Sequence, residues 1–502
     1  MSMLREGKGN RGRHSQSQNG SMIASLPTGN NSPCQDDAGP DLPEEIWQHL
    51  CSLVPMRDAA RAACVSRVFL SSWRCHPNLT FTKETMFSKK KLRKWAQDPT
   101  DKTYDREYNR NIDRTLANHR GPGVKKLMLH FHGPYNSRSF NRLNSWLRIA
   151  ITPVLEELTL FLLSEKSKYN FPCSLLSDGS GNTIRNLYLC NCVLRPSVSL
   201  SLRYLTKLYL HQVCIAENEL LHLLSSSSSL ESLILTRCED IIRLEIPCQL
   251  QRLRWLKVFD CPSLQLIENK APNISICDFT GDELQLSLGE SLQLKNLTLN
   301  RRCAIKYAID KLASSVPNLE TLKLYSLHEI VDAPMVPKLL HLKVLHIHID
   351  NWSSGQEYDF LSLVSFLDAS PSLETFSLFV PVQSNYDFIA GDPSTLRQMS
   401  GRHHEKLKTV TITGFCRQKS LVELTRHILE SATSLKSLTL NTIDAEYWFY
   451  GHSSIRKCPT LDKEYIREVW ESIRVVKTYI EGKVPSTVKF KAYGPCSQCH
   501  AF

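Results

Sequence analysis

The chain has 502 residues, of which 42% are apolar and 22% charged, with 20 glycines and 24 prolines. That length exceeds a single small module and fits about three domains or one long repeat array, and the composition excludes a fibrous or wholly disordered chain. A net charge of +11 favours contact with acidic surfaces but does not by itself make a nucleic-acid binder, and none is expected as a partner.

The first residues, MSMLREGKGNRGRHSQSQNG, carry charges and amides where a secretory signal would place its apolar core. Even the richest apolar stretch, VLEELTLFLLSEK, is interrupted by Glu and Lys well short of the ~18 apolar residues a membrane span needs. The reading is a chain of cytoplasm and/or nucleus with no membrane contact. Its 17 cysteines, an odd count in a reducing compartment, then read as small packing residues rather than a disulfide framework.

In chain order, residues 1–38 are rich in Ser, Gly, Asn, Gln and Arg and read as a disordered tail. Residues 39–80 are densely helical. Asp41 is placed to cap a helix, with Glu44 three residues on and Pro43 at its start, and Ile46, Leu50, Leu53 and Val54 form one stripe that Pro55 stops. Arg57 and Asp58 open a second helix; Ala59, Ala62 and Ala63 permit close approach, and Val65, Phe69 and Trp73 recur every four residues. Residues 81–123 read as linker and short helices, and the run KKKLRK (Lys89 to Lys94) reads as a solvated face rather than an import signal.

From about residue 124 the chain repeats itself in units of L-x-x-L-x-L. Thirteen registers can be counted, among them Leu155, Leu158, Leu160; Leu205, Leu208, Leu210; Leu319, Leu322, Leu324; and Leu435, Leu438, Leu440, with a weak one at Ala271, Ile274, Ile276. Their middle positions lie 18 to 34 residues apart, close to the about 20 to 29 of leucine-rich repeats. The spacing predicts an α/β fold: a curved leucine-rich-repeat solenoid of parallel strands over 124–445, preceded by a small three-helix module. Cys192, Cys238 and Cys261 fall three positions after the last apolar residue, where a small buried group turns the chain out of its strand.

Thirteen strands at ~4.8 Å line an arc of roughly 60 Å, a surface suited to another macromolecule. Tyr188, Lys207, Tyr209, Trp255, Lys257, Lys323 and His346 are expected on its concave face and are the candidate target-binding residues. Residues 446–502 read as a terminal cap and tail, with Ile466, Val469, Trp470, Ile473 and Ile480 at helical spacing and Gly482 as a stop. The final CSQCH (Cys496, Cys499, His500) has half the ligands of a zinc site and no second C-x-x-C near it, so neither metal nor cofactor is expected. No phosphate-binding, zinc-protease or nucleophile-elbow motif is present, and no catalytic residue is assigned.

The stretch LPEEIWQHLCSLVPMRDAARAACVSRVFLSSW resembles the F-box, with Leu42, Pro43, Ile46, Leu50, Leu53, Val54, Asp58, Ala59, Val65, Ser66 and Trp73 on matching positions and Phe69 where many members have Trp. Together with the repeats, with GVKKLML and with GFCRQKSLVELTRHILESATSLKSLTLNT, the chain resembles the plant F-box/leucine-rich-repeat group with an FBD-like C-terminal region, over about 40–480. That resemblance implies a non-catalytic substrate adaptor: the F-box docks on a Skp-type subunit and, through it, a cullin-based SCF ubiquitin ligase, while the repeats hold an unknown target protein. The alternatives are a repeat scaffold without a ligase role and a small-ligand receptor.

Overall fold

The computed structural model describes residues 42–495 except 99–100, 133–135, 164–167, 178–179, 197–199, 201, 283, 290–291, 313–314, 330–337, 351–357, 381–395, 400–402 and 444–462. The expected tail over 1–38, Asp41 and the CSQCH motif lie outside the described residues. Fifteen parallel strands join in sequence order into one sheet, from β1 (Asn78–Phe81) to a last strand at Lys489–Tyr493. Along each strand, residues alternate between a buried side and an open one. The buried middle positions pair in register as one row, running Leu79, Leu127, Leu158, Leu187, Leu208, Leu233, Leu256 and onward to Leu438 and Phe490.

The weak register is shifted from the expected one. Leu256 pairs with Cys277, and Cys277 with Leu297, so that unit reads Ile274, Cys277, Phe279. Ile274, Cys277 and Phe279 are all buried, whereas Ile276 is 37% exposed on the open side. A thiol packs there as a small apolar group. The sheet also runs one strand beyond the expected 124–445 at each end.

Coil length decides what returns the chain across the convex side. A helix advances about 1.5 Å per residue and a strand about 3.3 Å, so the shortest coils can only return extended. The three coils between Leu233 and Leu297 do so through a second parallel sheet of Arg243–Ile246, Leu266–Asn269 and Gln285–Ser287. Longer coils return through helices such as Ser137–Ala150, Glu217–Ser225 and Lys419–Ser431. Just before five successive strands, charges of alternating sign form a ladder: Glu320 pairs with Lys295 at 3.1 Å and with Lys343 at 2.8 Å, and Glu374 with Lys408 at 2.8 Å. Farther on, Arg397 forks between Asp359 and the fully buried Glu423, with its guanidinium 2.8 Å from each carboxylate.

Leaving the strand requires a sharp turn, and Asn191, Gln212, Arg237 and Asp260 take it in left-handed conformation, each two residues after the last apolar position. Cys192, Cys238 and Cys261 follow three of these turns and are buried, with the Cys238 thiol donating to the carbonyls of Leu210 and Thr236 at 3.7 Å.

Three N-terminal helices, α1 (Glu44–Leu53), α2 (Met56–Ala62) and α3 (Arg67–Arg74), stand before β1. Helix α1 begins at Glu44 after Pro43, which offers no side-chain cap, and Ser66 breaks the expected second helix into two by accepting from Phe69 N–H to cap α3. The segment expected as linker and short helices forms α4 (Lys83–Met86), α5 (Lys89–Gln97) and α6 (Lys102–Ala117), whose Phe87, Trp95, Tyr108, Ile112 and Leu116 enter the same core as the repeats. The Tyr108 hydroxyl reaches the carbonyls of Phe81 at 2.5 Å and His130 at 2.8 Å, pinning α6 to the ends of two neighbouring strands. KKKLRK opens α5, where Lys91 pairs with Glu107. The C-terminal helix Lys463–Val475 buries Val469, while Ile466, Trp470 and Ile473 are half-buried; Ile480 is buried in the following turn. No helix among the described residues is long and apolar enough to cross a membrane.

Gly414 takes the strand-exit turn at φ +75°, and a Cβ there would lie 1.6 Å from the carbonyl oxygen of Val380. Gly414→Ala is expected to lower stability by about 3 kcal/mol, whereas Gly482→Ala, whose Cβ meets nothing within 4 Å, changes it by less than ~0.5 kcal/mol. Urea denaturation of the two variants checks the contrast.

Candidate functional site

Helix α1 turns its more apolar stripe outward. Trp47 and Cys51 face inward, with the Trp47 ring 5.3 Å from Phe69 and Cys51 buried, whereas Ile46, Leu50 and Leu53 are exposed, Leu53 to 68%. Val54 and Pro43 are also open, and Val65, between α2 and α3, is 86% exposed. Of the remaining matched positions, Asp58 is exposed, Leu42, Ser66 and Trp73 are half-buried, and Ala59 is buried between helices. Ala59 and Ser66 thus shape the module from within, the first by close packing and the second as a cap. Val68 and Leu70 of α3 are also exposed and were not singled out from the sequence, although two apolar residues bracketing Phe69 cannot all point inward from a helix.

The module is fastened to the first coil at His76. This imidazole is 1% exposed; its Nδ1 accepts from Asn78 N–H at 3.1 Å and its Nε2 lies 3.2 Å from the carbonyl of Val54 at the end of α1. A ring that accepts at one nitrogen and donates at the other is neutral, and burial holds its pKa below the ordinary value. The pKa of His132, enclosed by Trp95 and Tyr108, is pushed down to about 3 by burial first, then by the Lys83 ammonium and the neighbouring His130 imidazole.

The second surface is the open side of the sheet. Tyr188 and Tyr209 occupy adjacent strands and stack with centroids 4.3 Å apart. Lys207 precedes Tyr209 on the same open side. Trp255 donates its indole N–H to Asp278 at 3.2 Å, and the Lys257 ammonium lies 5.8 Å from the Phe259 ring. Lys323 and His346 are register partners. The seven expected residues are therefore strung along the arc strand by strand, not gathered in one pocket. Sequence reasoning missed a ladder beside them: Tyr325 lies 5.6 Å from His348, which stacks on Phe379 at 4.1 Å. These three occupy the outward position after the last leucine, which the periodicity marks equally well.

A family model described as At1g61320/AtMIF1, LRR domain, matches residues 115–497. The chain belongs to this family. It is a plant F-box/LRR protein with FBD-like features, in keeping with its relatives in Arabidopsis thaliana. The F-box/FBD/LRR-repeat protein At3g49040 is 22% identical over 427 residues, 81% of this chain and 89% of that protein. The F-box/LRR-repeat protein At3g26922 is 25% identical over 41% of this chain and 62% of its own length, and the F-box/LRR-repeat protein At5g02910 is 26% identical over 43% and 42%. The match spans about half the length of several such relatives, 52% in At3g18150 and 41% in At4g13965. As in an F-box/LRR protein generally, the helical module and the repeat arc are separate surfaces on one chain. Among the described residues no three His, Cys, Asp or Glu side chains come together as a metal site.

Because His76 and His132 have folded pKa values below the unfolded value, the unfolded chain takes protons first as pH falls, and the stability that their neutral forms contribute above about pH 6.5 is lost below it. His132 alone is expected to cost about 1.4 kcal/mol at pH 5.5 relative to neutral pH. Denaturation curves at pH 7.5 and 5.5 check this, with a flatter dependence expected in His132→Phe.

Proposed function

We propose that the protein is the substrate-recognition adaptor of an SCF-type ubiquitin ligase, its F-box helices docking on a Skp-type subunit and thereby a cullin, its repeats holding a target protein. The observation that carries this reading is the outward apolar face of α1 and the α2–α3 connection, where Leu53 and Val65 are 68% and 86% exposed. Apolar side chains gathered so on a short helical module are a binding surface awaiting its partner. Burying them would stabilise a complex at roughly 25 cal/mol per Å² of apolar area before the costs of association.

The chemistry on this reading belongs to other subunits. The chain contributes proximity: a target held in the arc and a ubiquitin-loaded enzyme held through the F-box are confined to one assembly, which raises their effective concentration without any bond made here. The reading carries with it a cytoplasmic and/or nuclear location.

Ile46→Asp combined with Leu50→Asp is expected to weaken binding to a purified Skp-type subunit at least about 100-fold while leaving the repeats folded, since both side chains are already solvent-facing. Calorimetry measures the first and far-UV circular dichroism the second. Unchanged affinity in the double variant would sink the adaptor reading.

A further inference from the structure

Charges on the strand-entry edge are paired in the ladder of Lys295, Glu320, Lys343, Glu374 and Lys408. The open side of the sheet differs. From Asn186–Cys190 to Thr375–Phe379, the three successive outward positions in each strand hold three lysines, Lys207, Lys257 and Lys323, and one acid, Asp278. None of the three lysines has an ion pair among the described residues; Asp278, the register neighbour of Lys257, accepts from the Trp255 indole at 3.2 Å and keeps its charge, so these positions carry a net excess of two cations. Aromatic rings flank them, with Tyr209 beside Lys207, Phe259 beside Lys257, and Tyr325 beside Lys323.

We propose that this face receives an extended acidic segment of the target. The inference rests on the adaptor reading only in taking the occupant to be the target. Lys207 and Lys257 are two strands and one outward position apart, about 12 Å, and Lys257 and Lys323 lie on one register row three strands apart, about 14 Å at the spacing of a parallel sheet. An extended chain crossing the strands advances about 3.3 Å per residue and turns every second side chain to the same face, so carboxylates at positions i, i+4 and i+8, about 13 Å apart, meet the three ammonium groups in turn. Side chains between them meet the rings, which accept apolar and aromatic groups. The pairing is solvent-facing, so it confers selectivity and orientation and weakens with salt.

The test uses the full chain and a fluorescent synthetic peptide of Tyr and Ser with Glu at i, i+4 and i+8. Its comparators are a scramble of equal composition, a peptide with Lys for each Glu, and a single-stranded RNA of equal length. The patterned peptide is expected to bind at least about tenfold tighter than any comparator, and K207E/K257E/K323E to lose at least about tenfold. K89E/K90E/K94E, which changes net charge equally on the exposed side of α5, is expected to bind as the parent does. Equal binding of the scramble, equal loss in the α5 variant, or preference for RNA overturns the proposal. Skp-type subunit binding by the same variants is scored in parallel, and its failure in the parent chain would remove the adaptor reading while leaving the peptide result to stand or fall alone.

Discussion

The structure depends on one constraint: the middle apolar residue of every coil must sit beside that of the next. A single coil has one strand and cannot bury its inner face alone, so stability accrues only as neighbours stack, and the row from Leu79 to Phe490 is the seam along which they do. Because that seam is buried, the residues between its positions are forced to the open side whatever their chemistry. The concave surface is thus a by-product of the seam, and its side chains can vary without touching the core. Coil length adds a second degree of freedom: the shortest coils return through the strands Arg243–Ile246, Leu266–Asn269 and Gln285–Ser287, and longer ones through helices.

The N-terminal module obeys the opposite logic. Its helices join the solenoid core through Met56 and the His76 joint, yet its best apolar stripe faces water. A chain folding for itself would bury Leu53 and Val65, and on the proposed adaptor reading their exposure is a surface for another molecule to complete. Since α6 and its Tyr108 bonds hold β1 against the second strand, the module is mounted on a stiff base, and what binds it is held at a set orientation to the arc.

Periodicity made the solenoid legible because leucine returning at three fixed positions, coil after coil, suits a stack of strands buried on one side and little else. Where a coil used other residues the signal slipped: Cys277 and Phe279 do the work of leucines, and aliphatic spacing alone leads to Ile276, which points away from the core. The first and last strands were hidden for a related reason. Leu79 and Phe81 follow so closely on the helical module, and Phe490 stands so alone between lysines, that neither forms a full unit. The outward face of α1 was legible as an apolar stripe whose match to the F-box implies a docking face, while the residues that cover its other side, Trp47, Cys51 and Phe69, were not, because their packing is tertiary. The ladder of Tyr325, His348 and Phe379 was open to the same alternation that located Tyr188 and Lys323.

A sheet of stacked coils has two rims, and the two differ here: at the N-terminal one the edge of β1 is taken up, with Thr80 N–H on the Met56 sulfur and the Thr80 carbonyl accepting from Thr85. At the C-terminal rim the closing strand alternates Lys489 and Lys491 around Phe490 and is mostly exposed. Two copies meeting there would bring like charges face to face, so the strand that terminates the solenoid also discourages the pairing of two such rims.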